Sequence, residues 1–387
     1  MVLSYSKQFI DKKDIASVSK TLKSNYITTG PEIEKFENLI KKKVKSNYAT
    51  VVNSATSALH LSCLALGLAK NDYLWTTSNT FVSSANCALY CGAKVDLIDI
   101  NLRTYNIDID KLEKKLINAA KLNKLPKIII PVAFAGQSSE MKRIFLLSKK
   151  FKFKIIEDAS HALGAKYESK FVGSCQYSDL TVFSFHPVKI ITTGEGGAVT
   201  TNKKLYSDKI KALRSHGIEK NLSKKEKSKK PWLFKQNFLG FNYRMTDFQA
   251  SLGISQIKKL NYFVKKRNSI AKIYDKSLSV LPLKLPIVES NCYSSYHLYV
   301  VLIKKNKKKI DRDKIYKLLK KKGIITNIHY IPVYHHPFYK KMNFKKRNFK
   351  NNEKYFKQAI SLPMYPSIKK KELYKVIKTL NEILGSI

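Results

Sequence analysis

Two residue types that do chemistry stand where apolar runs give way to polar chain. Asp158 follows the run 153–156, and Lys189 follows the run 180–185, 31 positions later. The second run also contains Ser184 and leads through His186 to the lysine. Gly194, Gly196 and Gly197 come next, before a third apolar run that opens at Ala198. The pattern reads as strand, loop, strand, loop, strand, with the chemistry on the loops. Pro187 restricts the backbone just ahead of Lys189, and the glycines let another group approach closely. A lysine with a depressed pKa forms Schiff bases. Pyridoxal phosphate acts as an electron sink while its ring nitrogen is protonated, and an aspartate keeps that proton in place. A strand-end aspartate capping a helix and a lysine on a solvated loop fit the same spacing, which by itself leaves both readings open.

The wording of the stretch is more specific than its spacing. EDASHALGA at 157–165, followed by SDLTVFSFHPVKIITTGEGGAV at 178–199, resembles the sugar aminotransferases of the DegT/StrS type. These are pyridoxal-phosphate enzymes of fold type I that act on nucleotide-linked keto-sugars. The resemblance implies Lys189 as the Schiff-base lysine, Asp158 as the partner of the pyridine nitrogen, Ser184 as a phosphate ligand and His161 as a further cofactor contact. One branch of the family carries histidine in place of the lysine and dehydrates its substrate. Retention of Lys189 implies transamination, with pyridoxamine phosphate as the intermediate form of the cofactor and glutamate as the usual donor.

Four further segments carry candidate residues. In VVNSATSALHLSCLALGLA, Thr56 and Ser57 stand at a helix start. Free amides and hydroxyls there suit a phosphate as well as ordinary capping, and the resemblance favours phosphate. Phe81, in YLWTTSNTFVSSAN, matches the aromatic residue that the family stacks on the pyridine ring; a core phenylalanine at a helix start fits too. Thr29 and Gly30 lie in the turn TTGP before a helix. They fit either a plain helix start or the substrate side of the pocket, where the family has a similar segment. GFNYRMTD at 240–247 resembles the family segment whose asparagine reaches the cofactor phosphate of the neighbouring subunit. That implies Asn242 in this role and a homodimer with shared active sites. GIITNIHYIPVYHHPFY at 323–339 resembles the segment at the substrate mouth, which implies His329 and Tyr330 as substrate residues. The histidines of this run have no helical i,i+4 pair and no nearby carboxylate, so no metal site is expected.

These residues need a scaffold. Apolar runs alternate with helical patterns through the first two-thirds of the chain, which predicts a mostly parallel central sheet covered on both faces. The expected fold class is α/β. Residues 1–250 form a large cofactor-binding domain and 251–387 a smaller C-terminal α/β domain, against which the N-terminal helix at 10–23 packs. Helices are predicted at 109–120, 139–151, 247–274 and 311–322. A last helix places Leu373, Val376, Ile377, Leu380 and Leu384 on one face. The Lys-rich, unperiodic stretch 219–237 reads as a mobile surface loop.

Composition narrows the function class. The 387 residues include 44% hydrophobic and 26% charged residues, an ordinary globular balance. No run reaches the ~18 apolar residues of a membrane span, and the first residues lack the apolar core of a signal peptide. Five cysteines without paired spacing fit a reducing cytoplasm. The net charge of +45 comes mostly from lysines scattered over every segment. Recognition of nucleic acid favours clustered arginine, so the charge implies attraction for an anionic nucleotide substrate and no nucleic-acid partner. RSHG at 214–217, SYHLYVVLI at 295–303 and the 323–339 run resemble most the pseudaminic-acid branch of the family, which aminates C4 of a UDP-linked 4-keto-6-deoxy-L-sugar bearing an N-acetyl group. UDP-4-keto-arabinose and dTDP- or GDP-linked 4-keto-6-deoxyhexoses remain open as substrates. A non-catalytic regulator is disfavoured by the intact Asp158/Lys189 pair.

Overall fold

The computed structural model describes residues 2–219, 230–304 and 310–385. The expected surface loop at 219–237 therefore lies partly outside the described residues. In chain order the large unit contains α1 (Lys12–Leu22), α2 (Pro31–Val44), β1 (Tyr48–Val52), α3 (Ala55–Ala65), β2 (Tyr73–Thr77), α4 (Ser83–Tyr90) and β3 (Lys94–Ile98). Then come α5 (Ile109–Lys121), β4 (Ile128–Ile130), α6 (Met141–Phe151), β5 (Lys154–Asp158), β6 (Lys166–Tyr167), β7 (Lys170–Phe171), β8 (Leu180–Ser184), β9 (Gly197–Thr201) and α7 (Lys204–Arg214).

Seven of these strands form one sheet in the order β1-β9-β8-β5-β4-β2-β3. β9 alone runs against its neighbours; the pairs β2/β3, β2/β4, β4/β5 and β5/β8 are parallel. Side chains alternate across the strands, so consecutive residues serve opposite faces. Leu74, Ile128, Ile130 and Ile156 pack with α3 and α4, while Trp75, Ile129 and Ile155 pack with α5 and α6. Both faces are therefore covered, and the strands read as continuous apolar runs. The helices show the matching period. In α5, capped by the Asp108 side chain on the Lys111 N–H at 3.1 Å, Ile109, Leu112, Leu116 and Ala119 are the buried residues.

A second core gathers around an antiparallel sheet of Leu283–Lys284, Tyr299–Ile303 and Ala359–Leu362. The helices Leu260–Leu278, Arg312–Lys321 and Lys370–Leu384 cover it, with Leu373, Val376, Ile377, Leu380 and Leu384 all buried. Leu3 joins this core, bonded through its backbone to Gly323 and Ile325 at 2.8 Å. α1 lies elsewhere, on the helix Asp247–Lys258. Its Ser17 hydroxyl donates to the Ser251 carbonyl at 3.0 Å, and Asp14 accepts from Gln256 at 2.9 Å and Lys259 at 2.6 Å. The single helix expected at 247–274 is two, Asp247–Lys258 and Leu260–Leu278. They meet at Lys259, whose N–H turns back to the Gln256 carbonyl in a tight three-residue bond and whose side chain is held by Asp11 and Asp14. The apolar period runs on through the junction, which is why the sequence hides it.

Candidate active site

β5 and β8 are adjacent and parallel, with Asp158 in register with Val182. Both therefore deliver their last residues, Asp158 and Ser184, to the same edge of the sheet, where open α/β sheets take ligands. Asp158 is buried, and both its oxygens are occupied. Oδ2 accepts from the Ser84 hydroxyl at 2.6 Å; Oδ1 accepts from the Ser160 hydroxyl at 2.6 Å and the Ser160 N–H at 3.1 Å. With its proton given to Asp158, Ser84 accepts from Thr80 at 2.8 Å. Among the described residues Asp158 forms no salt bridge. A buried carboxylate held by neutral donors, with no cation in direct contact, is costly unless a positive group completes it.

The turn joining β8 to β9 presents Lys189. It is tied at the Lys189 N–H to the His186 carbonyl at 2.9 Å, and across its neck from Phe185 N to Gly196 O at 2.8 Å. Ser6 of the N-terminal segment donates to the Val188 carbonyl at 3.2 Å and steadies the outer side. Burial pulls the Lys189 ammonium down to about 8, against the attraction of Asp158. This is the depressed lysine that nucleophilic amine chemistry requires. Gly197 explains why the strand after the turn begins with glycine. A Cβ there would stand 2.6 Å from the Ser54 backbone, at the start of α3.

That helix start bears on the phosphate expectation. Ser54 is the N-cap and accepts from the Ser57 N–H at 3.1 Å, while the Ser57 hydroxyl donates to Asn53 at 2.6 Å. Ser57 is thus part of the capping, and Thr56 lies beside it, half-buried. The Asn53 N–H in turn reaches the Tyr243 carbonyl at 3.0 Å, which brings GFNYRMTD alongside α3. Asn242 is exposed on the single chain.

On the other side of Asp158, His161 is buried, with its Nδ1 facing the Ala135 N–H at 3.3 Å and its Nε2 2.9 Å from the Tyr330 hydroxyl. Burial, with the charge of Lys189 nearby, holds the ring well below the ordinary histidine range. His329 is buried too and lowered to about 3, its ring held between Ser361 at 2.8 Å and Asn327 at 3.4 Å. His329 faces these partners from behind Tyr330. Phe81 is 56% exposed, with its ring 6.1 Å from that of Tyr330. The remaining pair is more distant in role: the Gly30 N–H goes to the buried Asp247 carboxylate at 2.6 Å, which also accepts from Glu32 at 2.9 Å. The helix-start reading of Gly30 has a direct physical basis, and Thr29 beside it is exposed.

Some site residues escaped the sequence reading. Ser160 had a local signal, a serine two positions after an aspartate, the spacing of a side-chain turn. Ser84 and Thr80 had none, because Ser84 reaches Asp158, and Thr80 reaches Ser84, only once α4 packs on the sheet. His297, with its ring 4.3 Å from that of His161, comes from the segment just before the strand Tyr299–Ile303. One expectation is corrected: His335 does have a carboxylate partner, Glu353 at 2.6 Å, 18 positions on and brought in by the fold.

The arrangement fits pyridoxal phosphate. Asp158 has no cation in direct contact among the described residues, and a protonated ring nitrogen would supply one; Lys189 carries a lowered amine; hydroxyls and a helix start suited to phosphate stand on the same sheet edge.

The profile of the DegT/DnrJ/EryC1/StrS aminotransferase family matches residues 8–381. A Campylobacter jejuni relative named UDP-4-amino-4,6-dideoxy-N-acetyl-beta-L-altrosamine transaminase is 41% identical over 387 residues, 100% of this chain and 98% of the relative. Helicobacter pylori PseC, an aminotransferase involved in pseudaminic acid biosynthesis, superposes with a TM-score of 0.89 at 31% identity, covering 100% of both chains. The putative sugar aminotransferase Spr1654 of Streptococcus pneumoniae, solved in PMP and PLP forms, gives TM-scores of 0.89 and 0.88 at 27% and 26% identity, over 99% of this chain and 98% of that one.

Proposed function

Because the chain belongs to the DegT/DnrJ/EryC1/StrS aminotransferase family, we propose that it moves an amino group from glutamate to C4 of UDP-2-acetamido-2,6-dideoxy-beta-L-arabino-hex-4-ulose, in the making of pseudaminic acid. It is a sugar aminotransferase, and its cofactor is pyridoxal 5'-phosphate. The observation that carries the assignment of residues is the buried Asp158, bonded only to neutral groups, on the same sheet edge as an amine lowered to about 8. Full-length similarity to the Campylobacter relative and to PseC supports the choice of sugar.

When bound, pyridoxal phosphate supplies the conjugated ring that takes up the electron pair of the donor carbon. Asp158 holds the proton on the ring nitrogen and is itself oriented by Ser84 and Ser160. Lys189 takes the proton from the donor carbon as general base and returns it as general acid, and its lowered pKa suits both tasks near neutral pH. Ser184, Thr56 and Ser57 bind the phosphate, joined by Asn242 of a second copy. Phe81 and His161 hold the ring, Thr29, Gly30 and Tyr330 face the sugar, and His329, engaged by Ser361 and Asn327, backs Tyr330. The enzyme works as a homodimer in the cytoplasm, a compartment that suits its five free thiols.

The test is incubation of the purified holoenzyme with glutamate and, in turn, UDP-, dTDP- and GDP-linked 4-keto-6-deoxy sugars and UDP-4-keto-arabinose, with products read by mass spectrometry. The expected result is a 4-amino sugar from the UDP-linked acetamido substrate at a kcat/KM well above the others. Preferred turnover of another nucleotide sugar would overturn the substrate, and failure of glutamate with success of another amine would overturn the donor.

A further inference from the structure

The directions of the hydrogen bonds around Tyr330 single out its hydroxyl proton. His161 Nδ1 accepts from the Ala135 backbone N–H at 3.3 Å. Burial, with the charge of Lys189 nearby, keeps the ring neutral. A neutral imidazole carries one N–H, so with Nδ1 accepting, that hydrogen sits on Nε2. Nε2 lies 2.9 Å from the Tyr330 oxygen. His161 is therefore the donor of this bond and Tyr330 the acceptor. The hydroxyl proton of Tyr330 must point away from His161, and no group among the described residues takes it.

The ring that carries this hydroxyl is well fixed. Its backbone N–H is bonded to Asn79 at 3.0 Å, and its ring lies near those of Phe134, edge-on, and Phe81, tilted, at centroid distances of 6.2 and 6.1 Å. Burial and the nearby charge of Asp158 raise the phenol above its ordinary range, so it keeps its proton. A hydroxyl whose oxygen already accepts a bond is a better donor through cooperative polarisation. It stands beside His161, which feels the charge of Lys189, and within reach of the charge of Asp158.

We propose that Tyr330 is a catalytic residue that donates a hydrogen bond to the carbonyl oxygen of the keto substrate, and that His161 is the positioning residue that aims it. The proton stays on Tyr330; the bond stabilises the negative charge that builds on the oxygen as nitrogen attacks the carbonyl carbon. This rests on the keto-substrate reading above, but on no particular sugar. The same oxygen position serves any carbonyl substrate the enzyme accepts.

Tyr330→Phe keeps the ring and its packing, removes the donor, and leaves the His161 Nε2–H without its acceptor. Its melting temperature should fall by a few degrees at most, through the unpaired His161 N–H, while the visible absorbance of its bound cofactor should match wild type. Its kcat should fall on the order of 10²-fold, as for loss of a preorganised donor, with KM changed less than roughly threefold. Fluorotyrosines at 330 of graded acidity should give a kcat that tracks the acidity of the hydroxyl, which a packing role would not produce. A readout without turnover uses 3-fluorotyrosine at 330 in the pyridoxal form, which cannot aminate a ketone. Addition of the UDP-linked 4-keto sugar should shift its fluorine resonance, and His161→Leu should reduce that shift. A Tyr330→Phe enzyme as fast as wild type on every carbonyl substrate that wild type accepts would overturn the proposal. So would an unmoved fluorine signal at saturating keto-sugar. If wild type aminates no nucleotide-linked ketone, the substrate reading fails instead; the comparison is then made with 2-oxo acids on the pyridoxamine form.

Discussion

Lys189 and Asp158 show opposite ways of carrying a charge under cover. Lys189 is destabilised as a cation by burial, and its value of about 8 lies below the ordinary 10.5. Between those values the unfolded chain binds a proton that the folded chain has released, so stability rises with pH across that window. In cofactor-free protein, the melting temperature of wild type relative to Lys189→Met should therefore climb from pH 8 to pH 10. Below pH 8 the methionine variant should be the more stable. A flat difference would show that the amine is solvated and not placed as described. Asp158 instead stays buried through three neutral donor contacts. Asp158→Asn keeps the shape and loses the ability to hold a proton on the ring nitrogen. We expect it to retain cofactor while turnover drops by well over tenfold, more than about 1.4 kcal/mol of barrier. Turnover within tenfold of wild type would remove Asp158 from that role.

At the scale of elements, the site depends on how closely β9 approaches α3. Gly197 ends the Lys189 turn and opens β9, and the backbone of Ser54 and Ala55 lies within 2.7 Å of where its Cβ would stand. Neither neighbour is a flexible side chain that can yield. Gly197→Ala should push the strand from the helix start, at a cost of roughly 1–3 kcal/mol as for other overpacked sites. Because Thr56 and Ser57 ride on that helix start, the affinity for pyridoxal phosphate should fall with it. Equilibrium unfolding and a cofactor titration read the two effects separately. Loss of stability with unchanged cofactor affinity would detach the helix start from phosphate binding. The same reasoning explains the legibility of this region. Three glycines within four positions announced a close approach, but not to what; the partner, 143 residues earlier, is set by β1 and β9 lying side by side.

For the whole molecule, the telling feature is how much of the proposed site is open on one chain. Asn242 and Thr29 are exposed, Phe81 is 56% exposed, and near GFNYRMTD the large apolar side chains Leu239 and Tyr90 are 81% and 54% exposed. A second copy related by a two-fold axis would cover such a face and bring its Asn242 to the first chain's phosphate. The test mixes two inactive chains, one carrying Lys189→Ala and the other Asn242→Trp. If sites are shared, part of the mixed dimers recover one intact site, and activity returns to about a quarter of wild type at equal mixing, as random pairing requires. No recovery at any ratio, with mixed dimers present, would show that each site is built from one chain.

The amino-acid sequence by itself determined the elements and the family, because both are written in local order. Apolar period sets strand and helix, and EDASHALGA with SFHPVK puts Asp158 and Ser184 at the ends of adjacent strands and Lys189 in the turn that follows. Which groups surround them was a matter of tertiary structure. Ser84 reaches Asp158 from 74 positions away and Tyr330 reaches His161 from 169. The break at Lys259 answers to Asp11 and Asp14 on another helix, and His335 finds Glu353 only after the chain has turned. Hydrogen-bond direction, burial and pKa depend on what stands within a few ångströms in space. Local sequence carries no record of those neighbours, so the chemistry was legible in its residue types and the tuning of that chemistry only in the fold.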